Sequence, residues 1–461
     1  MSDSPQPAPR GHPLIAWGVL LLLLGYLVWP RPETPGHRRD SPSQIVPLQL
    51  QGRYLVGVAS LRLPGVPAEK LFADAAMLID QASYPQRLRY AILGGELVGM
   101  DQAKEALASL EAERQAGDIE ASAEDVAAVE RLQRWYRDDD LPDSDRAALR
   151  KHLGWFGSLA LAPEGSDPAE RQQVLGPARR TLIGYAVFLT GGVLALGTGS
   201  FLILLGGSMA FLGRLHPGLV VPSGHGGIYA ETFTAYMVLY FGLTFGIRYL
   251  PVEKPALWVN GLAMMLALLA LAWPVLRGIP WTTVRQDLGL HSGQGLGREL
   301  LAGIATYLAA IPLLVVGVAI MFLLMYLSGR SRLGLTSGAP THPIIGLALQ
   351  AGWWMWLQVF VVAAVLAPVV EEAMFRGALY RHLRDATGAW RPWISVAVAA
   401  LASSVLFAAI HPQGWLAVPA LTMLALVFAL AREWRQSLVP AMVAHAINNG
   451  LMTLMLLLLA G

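Results

Sequence analysis

Long apolar runs constrain the fold of this chain more than any other feature. A helix needs about 20 consecutive, predominantly apolar residues to cross the hydrocarbon core of a bilayer. Toward the C-terminus the chain contains about eight such runs, at 182–212, 228–248, 256–276, 299–327, 344–370, 393–411, 415–431 and 437–460. The sequence therefore predicts an all-α fold in which about eight core helices form a polytopic transmembrane bundle.

The composition agrees with a membrane location and narrows the chemistry. Hydrophobic residues make up 54% of the 461 residues and charged residues 14%, whereas soluble proteins carry about 25% charged residues. The net charge is +2 and no basic run is interleaved with aromatic residues, so we expect no nucleic-acid partner. Cysteine is absent, which excludes disulfides, thiolate nucleophiles and Cys-ligated metals.

A shorter apolar run, Pro13–Trp29, lies near the N-terminus and is close to the minimum length for a spanning helix. It is followed by Pro30-Arg31-Pro32 rather than by a small-residue cleavage site. This favours an uncleaved anchor over a signal peptide. We predict an N-terminal transmembrane anchor at 1–30 and a linker rich in Pro, Ser and Arg at 31–49.

The segment 50–177 is polar, with apolar residues at helical spacing, and predicts an inserted helical soluble domain. Residues that cap helix starts stand at Pro67, Asp101, Ser122 and Asp143, so we expect four to six short helices. Between residues 51 and 175 there are 21 acidic and 14 basic residues. A net negative domain without a catalytic pattern is typical of a regulatory module, and we expect a protein partner there.

Two polar features of this domain are expected to stay away from any catalytic site. His152 follows Arg150 and Lys151, which is typical of a solvated turn, and Asp138-Asp139-Asp140 forms an acidic run. The membrane core divides into an N-terminal part at 178–343 and a catalytic region at 344–461. Within the first part, Trp281–Gly295 predicts a short interfacial amphipathic segment with a Trp at headgroup level.

Two adjacent carboxylates, Glu371 and Glu372, follow the apolar run at 344–370. One charged residue at the centre of a bilayer helix costs about 2.5–3.5 kcal/mol on insertion scales. Arg376 lies four residues after Glu372, so the two share a helical face and can form an ion pair. Glu371, about 100° round the helix, remains free to meet another group. The alternative is a charge cluster that snorkels where the chain leaves the membrane.

Two imidazoles and a carboxamide interrupt the last apolar runs. Phe407 and His411 are four residues apart, as are His445 and Asn449, so each pair shares a helical face. Singly, His411 suits a helix end before Pro412, and the other pair suits packing through interhelical hydrogen bonds worth about 0.6 kcal/mol. Jointly, these groups predict one buried polar site made of Glu371, Glu372, His411, His445 and Asn449.

The ordered motifs Glu-Glu-x-x-x-Arg, Phe-x-x-x-His and His-x-x-x-Asn resemble the type II CAAX prenyl endopeptidase and bacteriocin-processing protease family. The resemblance covers about 351–453, and Leu288-Gly289-Leu290 is similar to the segment that precedes the core of that family. It implies an intramembrane protease with about eight core helices, and the form Glu-Glu-x-x-Phe-Arg-Gly implies a multi-pass protein of a bacterial plasma membrane. The catalytic residues that it implies are Glu371, Glu372, Arg376, His411, His445 and Asn449.

Other intramembrane protease chemistries fit the sequence badly. The chain has no His-Glu-x-x-His, which is the zinc-binding helix of one class. No Asp lies in any predicted core span, and no Gly-x-Ser-Gly precedes a membrane histidine. With no Cys or Ser nucleophile placed, water must be the attacking group.

Peptide hydrolysis by water needs a base and hydrogen-bond donors for the oxyanion. Glu371 or Glu372, together with His411, can hold and deprotonate the water. His445 and the Asn449 amide can donate to the oxyanion. Arg376 would keep one carboxylate ionised and oriented, and the family resemblance implies the same assignment.

A metal version would use the same residues. Glu372, His411 and His445 make a His₂Glu set that suits Zn²⁺ or another divalent metal with an open water position. The sequence leaves both versions open. We favour water activation without a cofactor, since Asn449 suits an oxyanion donor better than a zinc ligand.

The sequence thus predicts an intramembrane endopeptidase that hydrolyses a membrane-embedded, membrane-anchored or lipid-modified peptide within the lipid bilayer. Two other functions remain open. The chain could be a non-catalytic membrane scaffold or bacteriocin-immunity protein. It could also be a proton-coupled transporter that uses Glu371 and Glu372 as its proton site.

Overall fold

A computed structural model describes the protein at residues 11–28, 42–76, 82–137, 140–247, 249, 257–327 and 352–460. In these ranges every regular element is a helix, which confirms the all-α prediction. The first helix, α1, spans Pro13–Val28. Residues 31–41 of the predicted linker lie outside the described residues. The last part of this linker, 42–49, belongs to a helix.

The predicted soluble domain is built from helix α2 and six short helices, seven in all, where four to six short helices were predicted. They are α2 (Pro42–Ala59), α3 (Ala68–Ala76), α4 (Tyr84–Leu97), α5 (Met100–Ala116), α6 (Ala123–Trp135), α7 (Asp143–Leu153) and α8 (Trp155–Leu161). Their apolar faces enclose one core, whose fully buried members include Leu88, Leu107, Leu132 and Phe156. This core is separate from the apolar clusters of the membrane region.

The helix starts in this domain follow the capping residues closely. Ser122 caps α6, because its hydroxyl accepts a hydrogen bond from the Asp125 amide at 3.1 Å. Helix α3 begins at the first residue after Pro67, and helix α7 begins at Asp143. Helix α5 begins one residue before Asp101.

The prediction that His152 occupies a solvated turn is wrong. His152 belongs to the last turn of α7, and its Nε2 lies 2.8 Å from Oδ1 of Asp125, with the imidazole 25% exposed. The first turn of α6 presents this carboxylate to the ring, a tertiary contact with no local signal in the sequence. Asp140 pairs with Arg146 at 2.9 Å, while residues 138 and 139 lie outside the described part of the chain.

Nine helices follow the predicted soluble domain in the described part of the membrane region. They are α9 (Pro168–Phe211), α10 (Gly226–Ile247), α11 (Leu257–Leu276), α12 (Trp281–Leu288), α13 (Leu296–Leu327), α14 (Trp353–Ala386), α15 (Pro392–Ala409), α16 (Trp415–Arg435) and α17 (Val439–Ala460). Seven of them, namely α9, α11 and α13 to α17, are long and apolar enough to cross a membrane. The protein is therefore an integral, multi-pass membrane protein.

The count of seven is one fewer than the eight predicted runs, and the difference lies in α10. This helix forms where it was predicted, but it is not among the seven. It contains Glu231, which accepts hydrogen bonds from the Trp273 indole at 2.8 Å and from the backbone amide of His12 at 2.6 Å. A charged residue and several Tyr and Thr residues lower the mean hydropathy of α10.

Helix α14 differs most from the prediction. The predicted apolar run ends at residue 370, yet the helix spans Trp353–Ala386, and 344–351 lie outside the described residues. The helix continues because Ala373–Leu379 is entirely buried. The two carboxylates therefore lie inside a helix, and the Glu372–Arg376 pair is fully buried rather than extended to solvent.

Helix α9 runs without interruption through the predicted boundary between the soluble domain and the membrane core. Its N-terminal part packs on α2, where Gly57 lies against the backbone of Ala178. Its membrane part crosses α13 at Gly199, where a Cβ atom would come within 2.0 Å of the Leu308 carbonyl oxygen. One continuous helix thus joins the two regions.

The N-terminal helix α1 is part of the membrane bundle. The Trp17 indole donates a hydrogen bond to Nε2 of His382 at 2.9 Å. Nδ1 of the same ring lies 2.8 Å from the Gly226 carbonyl oxygen, so Nδ1–H donates there. His382 thereby joins α1, α10 and α14, the helix that carries the paired carboxylates.

The predicted amphipathic segment forms helix α12, which ends at Gly289 in a left-handed conformation with φ of 78°. Glycine is required there, since a Cβ atom would lie 2.7 Å from the Arg432 guanidinium. The Gly289 carbonyl oxygen accepts a hydrogen bond from the Leu438 amide at 2.9 Å. The tripeptide that includes Gly289 thus docks against the junction of α16 and α17.

Candidate active site

The centre of the site is the ion pair between Glu372 and Arg376 on α14. Arg376 Nη1 donates to Oε1 of Glu372 at 2.9 Å, and both side chains are fully buried. This is the pairing that the spacing of four residues predicts. The second nitrogen, Nη2, donates to the Ala425 carbonyl oxygen of α16 at 3.1 Å, so the guanidinium connects two helices.

His445 of α17 lies between the two carboxylates. Its Nδ1 is 2.8 Å from Oε1 of Glu372, and its Nε2 is 3.8 Å from Oε2 of Glu371. A carboxylate oxygen can only accept, so Nδ1–H donates to Glu372. Nε2 therefore faces Glu371, as a lone-pair acceptor in the neutral ring or as a donor in the imidazolium form.

His411 lies beside this group, just beyond the end of α15. Its Nδ1–H donates to the Phe407 carbonyl oxygen at 2.6 Å, which leaves Nε2 as the acceptor of the neutral ring. The Phe407 ring packs on the imidazole at a centroid distance of 4.2 Å, as predicted from the spacing. The Glu371 carboxylate and the His445 ring both act electrostatically on His411.

Asn449 lies one turn beyond His445 and contacts the backbone of α14 and the neighbouring Asn448. Its Nδ2 donates to the Ala363 carbonyl oxygen at 2.8 Å, and its Oδ1 accepts from Asn448 at 3.0 Å. The structure shows no hydrogen bond between this amide and Glu371, Glu372 or His445 in the described ranges. One N–H of the Asn449 amide remains for another acceptor.

Two π-helical turns interrupt α14 at the points where it meets the site. They span Val361–Leu366, which includes the Ala363 carbonyl, and Ala373–Leu379, which includes Arg376. Such wide turns leave backbone groups free for other partners and are frequent at functional sites. The sequence pattern gave no signal for them.

Several polar atoms at the centre of the site are buried without a hydrogen-bond partner in the described part of the chain. They are Oε2 of Glu371, Oε2 of Glu372 and Nε of Arg376. Buried polar groups in proteins are nearly always hydrogen-bonded, and exceptions require an explanation. Free lone pairs on two adjacent carboxylates can receive the protons of a bound water.

Aromatic residues that carry no motif signal complete the surroundings. Phe428 of α16 stacks on the His445 ring and lies over the Arg376 guanidinium. Tyr236 and Tyr240 of α10 stack on each other, and the Glu371 carboxylate acts electrostatically on both hydroxyl groups. Sequence reasoning missed all three, because aromatic residues in apolar helices usually belong to the packing core.

The predicted metal ligands do not fit the observed contacts. Oε1 of Glu372 accepts hydrogen bonds from Arg376 and from His445. This carboxylate is therefore a hydrogen-bond partner of the imidazole and not a second ligand placed next to it. Within the described ranges no group of three or more His, Asp or Glu side chains is arranged to hold a metal ion. The set Glu372, His411 and His445 is therefore not a suitable metal site in this arrangement.

The structure brings four predicted residues, Glu371, Glu372, Arg376 and His445, into one cluster with His411 beside it. Residues 352–451, which contain all of them, match one protein-family model. That family is described as type II CAAX prenyl endopeptidase Rce1-like. The region is similar to a protease family. The family predicted from the motifs is thus confirmed for this region, which is less than half of the chain.

No curated protein and no solved structure matches the chain. At the level of the family, the match supports a peptidase. The catalytic roles assigned to the individual residues stay predictions.

Proposed function

We propose that the protein is an intramembrane endopeptidase that hydrolyses a peptide bond of a membrane-anchored or lipid-modified peptide with an activated water. The observation that carries this proposal is the buried Oε2 atom of the Glu371 carboxylate. It has no hydrogen-bond partner among the described residues and lies 3.8 Å from the His445 ring. This arrangement occurs within a region that matches a protease family.

Glu371 is the better candidate for the base. Glu372 is held by Arg376 and by His445, whose hydrogen bonds both occupy its Oε1. Glu371 has no such cation at hydrogen-bond distance, and its side chain is 20% exposed. A water that binds to Glu371 can therefore lose its proton to this carboxylate as it attacks the peptide carbonyl carbon.

His411 can orient the same water. Because its Nδ1–H is committed to the Phe407 carbonyl, the lone pair on Nε2 is available to accept a hydrogen bond. After attack, the proton held by the carboxylate must reach the leaving amine. His411 and Glu371 are the groups that can deliver it.

The oxyanion of the tetrahedral intermediate needs donors that are already in place. The remaining N–H of the Asn449 amide is one. His445 is the second only when its ring is doubly protonated, since Nδ1–H already donates to Glu372. In this proposal Glu372 and Arg376 hold the imidazole in place rather than contact the substrate.

The substrate class follows from the surroundings. The cluster lies on α14, α15 and α17, which are all candidate spanning helices, so a scissile bond must enter from the membrane or its interface. We place the protein in the plasma membrane of a bacterium and assign the soluble domain to binding of a protein partner. A prenyl group on the substrate is not part of the proposal.

The test is cleavage by the full chain reconstituted in liposomes. Membrane peptides that accumulate in cells without the active protein supply the substrates, and wild type is compared with Glu371→Gln and Glu372→Gln. Glu164→Gln, an exposed substitution in the soluble domain, is the matched control. If both active-site variants cleave as well as the wild type, the protein is not this hydrolase, and proton uptake by the same liposomes would favour a transporter.

Metal dependence is tested separately on the purified wild type. A chelator should leave the activity unchanged if Glu371 and His411 act without a metal. Loss of activity that returns when Zn²⁺ is added, with about one metal per chain in the purified protein, would require a different donor set from the one observed.

A further inference from the structure

Helix α16 carries none of the three motifs, yet it contacts the centre of the site at two positions one turn apart. The Ala425 carbonyl oxygen accepts from Arg376 at 3.1 Å. The Phe428 ring, three residues later, is fully buried. It is among the largest side chains in the protein that have no contact with solvent.

The Phe428 ring has two polar neighbours. It stacks on the His445 imidazole with a centroid distance of 5.4 Å and an angle of 26° between the planes. The carbon of the Arg376 guanidinium lies 5.5 Å from the same ring centre. Phe407 approaches that guanidinium at 4.6 Å, so Arg376 is held between two aromatic rings.

This arrangement matters because Arg376 is a fully buried cation with an incomplete set of hydrogen bonds. It shares the Oε1 atom of Glu372 with His445, and its Nε has no partner among the described residues. The negative face of an aromatic ring attracts a cation, and the attraction is strongest when both are desolvated. The two rings therefore replace part of the solvation that the guanidinium lacks.

We propose that Phe428 is a positioning residue that holds the Arg376 guanidinium and the His445 imidazole in their reactive arrangement. It acts through these two groups and does not contact the substrate. The inference rests on the proposed peptidase function. Displacement of catalytic groups by about 1 Å is enough to lower a rate by about two orders of magnitude, so a ring that fixes both groups affects turnover strongly.

The test keeps the shape of the ring and changes its electrostatics. Phe428 is replaced in the full chain by phenylalanine with one, two or three ring fluorines, which progressively weaken the negative face. The probe is a set of lipid-anchored, fluorescence-quenched peptides in liposomes. We expect kcat to fall stepwise, by about tenfold over the series, which corresponds to the cation–π energy that is lost, while KM stays constant.

Phe156 supplies the matched control, since it is equally buried in the soluble domain. The same fluorinated series at Phe156 should leave kcat unchanged. If Phe428 had only a structural role, the fluorinated variants would have a lower melting temperature but no stepwise loss of kcat. A kcat that stays constant across the series in an active enzyme would overturn this inference and leave the proposed function intact. If the wild type cleaves none of the peptides, the proposed function fails and the role of Phe428 in the reaction fails with it.

A second measurement does not depend on turnover. Phe428→Leu, Arg376→Met and the double variant are compared by thermal unfolding. Residues in contact show non-additive effects on stability, so the double variant should lose less than the sum of the single losses. Additive losses would show that the ring does not hold the guanidinium.

Discussion

Two buried carboxylate clusters in the membrane region differ in how completely their oxygens are used. Glu433 of α16 accepts from the Tyr380 hydroxyl at 2.7 Å and from Arg384 Nε at 3.0 Å through Oε2. Its Oε1 accepts from the Leu219 amide at 3.1 Å and from Arg384 Nη2 at 3.3 Å. Every side of this carboxylate is occupied.

The carboxylates of Glu371 and Glu372 are different. One oxygen on each is buried without a hydrogen-bond partner in the described part of the chain, and Arg376 serves only one of the two groups directly. Burying a polar group without a partner costs free energy. The membrane region can therefore saturate a buried carboxylate, and the unsaturated pair keeps lone pairs that a ligand such as water can use.

The largest effect that this comparison predicts is a separation of activity from stability. Glu371→Gln removes the candidate base. It breaks no hydrogen bond to Oε2, because this atom has no partner among the described residues. The rate of cleavage should therefore fall by about 10²–10⁴-fold or more. The melting temperature should remain close to that of the wild type. Initial rates in liposomes and thermal unfolding in detergent measure the two quantities.

Glu433→Gln should show the opposite behaviour. It breaks a buried ion pair with Arg384, which costs about 3–5 kcal/mol, while the folded fraction keeps its specific activity. If Glu433→Gln abolished cleavage at an unchanged melting temperature, the distinction between a structural and a catalytic carboxylate would be contradicted. It would also fail if Glu371→Gln mainly reduced stability.

His411 tests whether the base needs a second group. His411→Ala removes the imidazole beside the carboxylates whose Nδ1–H is bonded to Phe407 and whose Nε2 can accept from the water, so turnover should be abolished. His382→Ala is the control, because this ring is bonded to Trp17 and Gly226 and should affect mainly stability. Equal residual activities of the two variants would contradict the role of His411.

Asn449 provides a smaller effect. Removal of one oxyanion donor typically lowers the rate by about 10²–10³-fold, so Asn449→Ala should retain measurable activity. The neighbouring Asn448→Ala, which removes only the partner of Oδ1, should lose less than tenfold. Rates at saturating peptide decide this, and complete inactivation by Asn449→Ala would assign the amide a different role.

Arg376→Lys keeps the positive charge but loses the planar group that joins Glu372 to Ala425 and lies between two rings. We expect a partial loss of activity, about tenfold, together with a lower melting temperature. The two readouts should change together, because this residue supports both the site and the packing. Full activity in a fully stable variant would show that charge alone is sufficient.

The sequence predicted the part of this site that depends on helical spacing. The pairing of Glu372 with Arg376 and the packing of Phe407 on His411 follow from separations of four residues. Contacts set by the packing of distant helices had no such signal. Phe428 and the Asp125–His152 pair are examples, and the π-helical turns around Ala363 and Arg376 depend on the bundle rather than on local pattern.

The fold shows the same division. Apolar runs located the spanning helices to within a few residues, except where an end is fixed by burial rather than hydropathy. Helix α14 continues to Ala386 because the polar residues of its last part are buried and paired. A hydropathy pattern cannot show this burial, so it ends the apolar run at residue 370. Helix α9 crosses the predicted domain boundary near residue 177 because both of its halves have packing partners.

The smallest predicted effect concerns Asp125, a saturated carboxylate of the soluble domain that bonds to His152 and Ser122. Burial raises the pKa of this carboxyl, but the hydrogen bonds outweigh burial and hold the pKa below its usual value. A carboxyl whose folded pKa is lowered stabilises the protein above its unfolded pKa, and this contribution is lost as the pH falls through the folded value.

Asp125→Asn should therefore weaken the α6–α7 pair at neutral pH by about 1.5–3 kcal/mol, the value for hydrogen bonds to a charged group. The difference from wild type should shrink as the pH falls below the usual range of an aspartate. Hydrogen exchange resolved to α6 and α7 measures it, and Asp140→Asn, at a carboxylate that is 95% exposed, should show almost none. If the difference in stability between Asp125→Asn and the wild type stays constant with pH, Asp125 stabilises α6 by packing and neutral hydrogen bonds. Its contribution to stability would then not depend on the charge of the carboxylate.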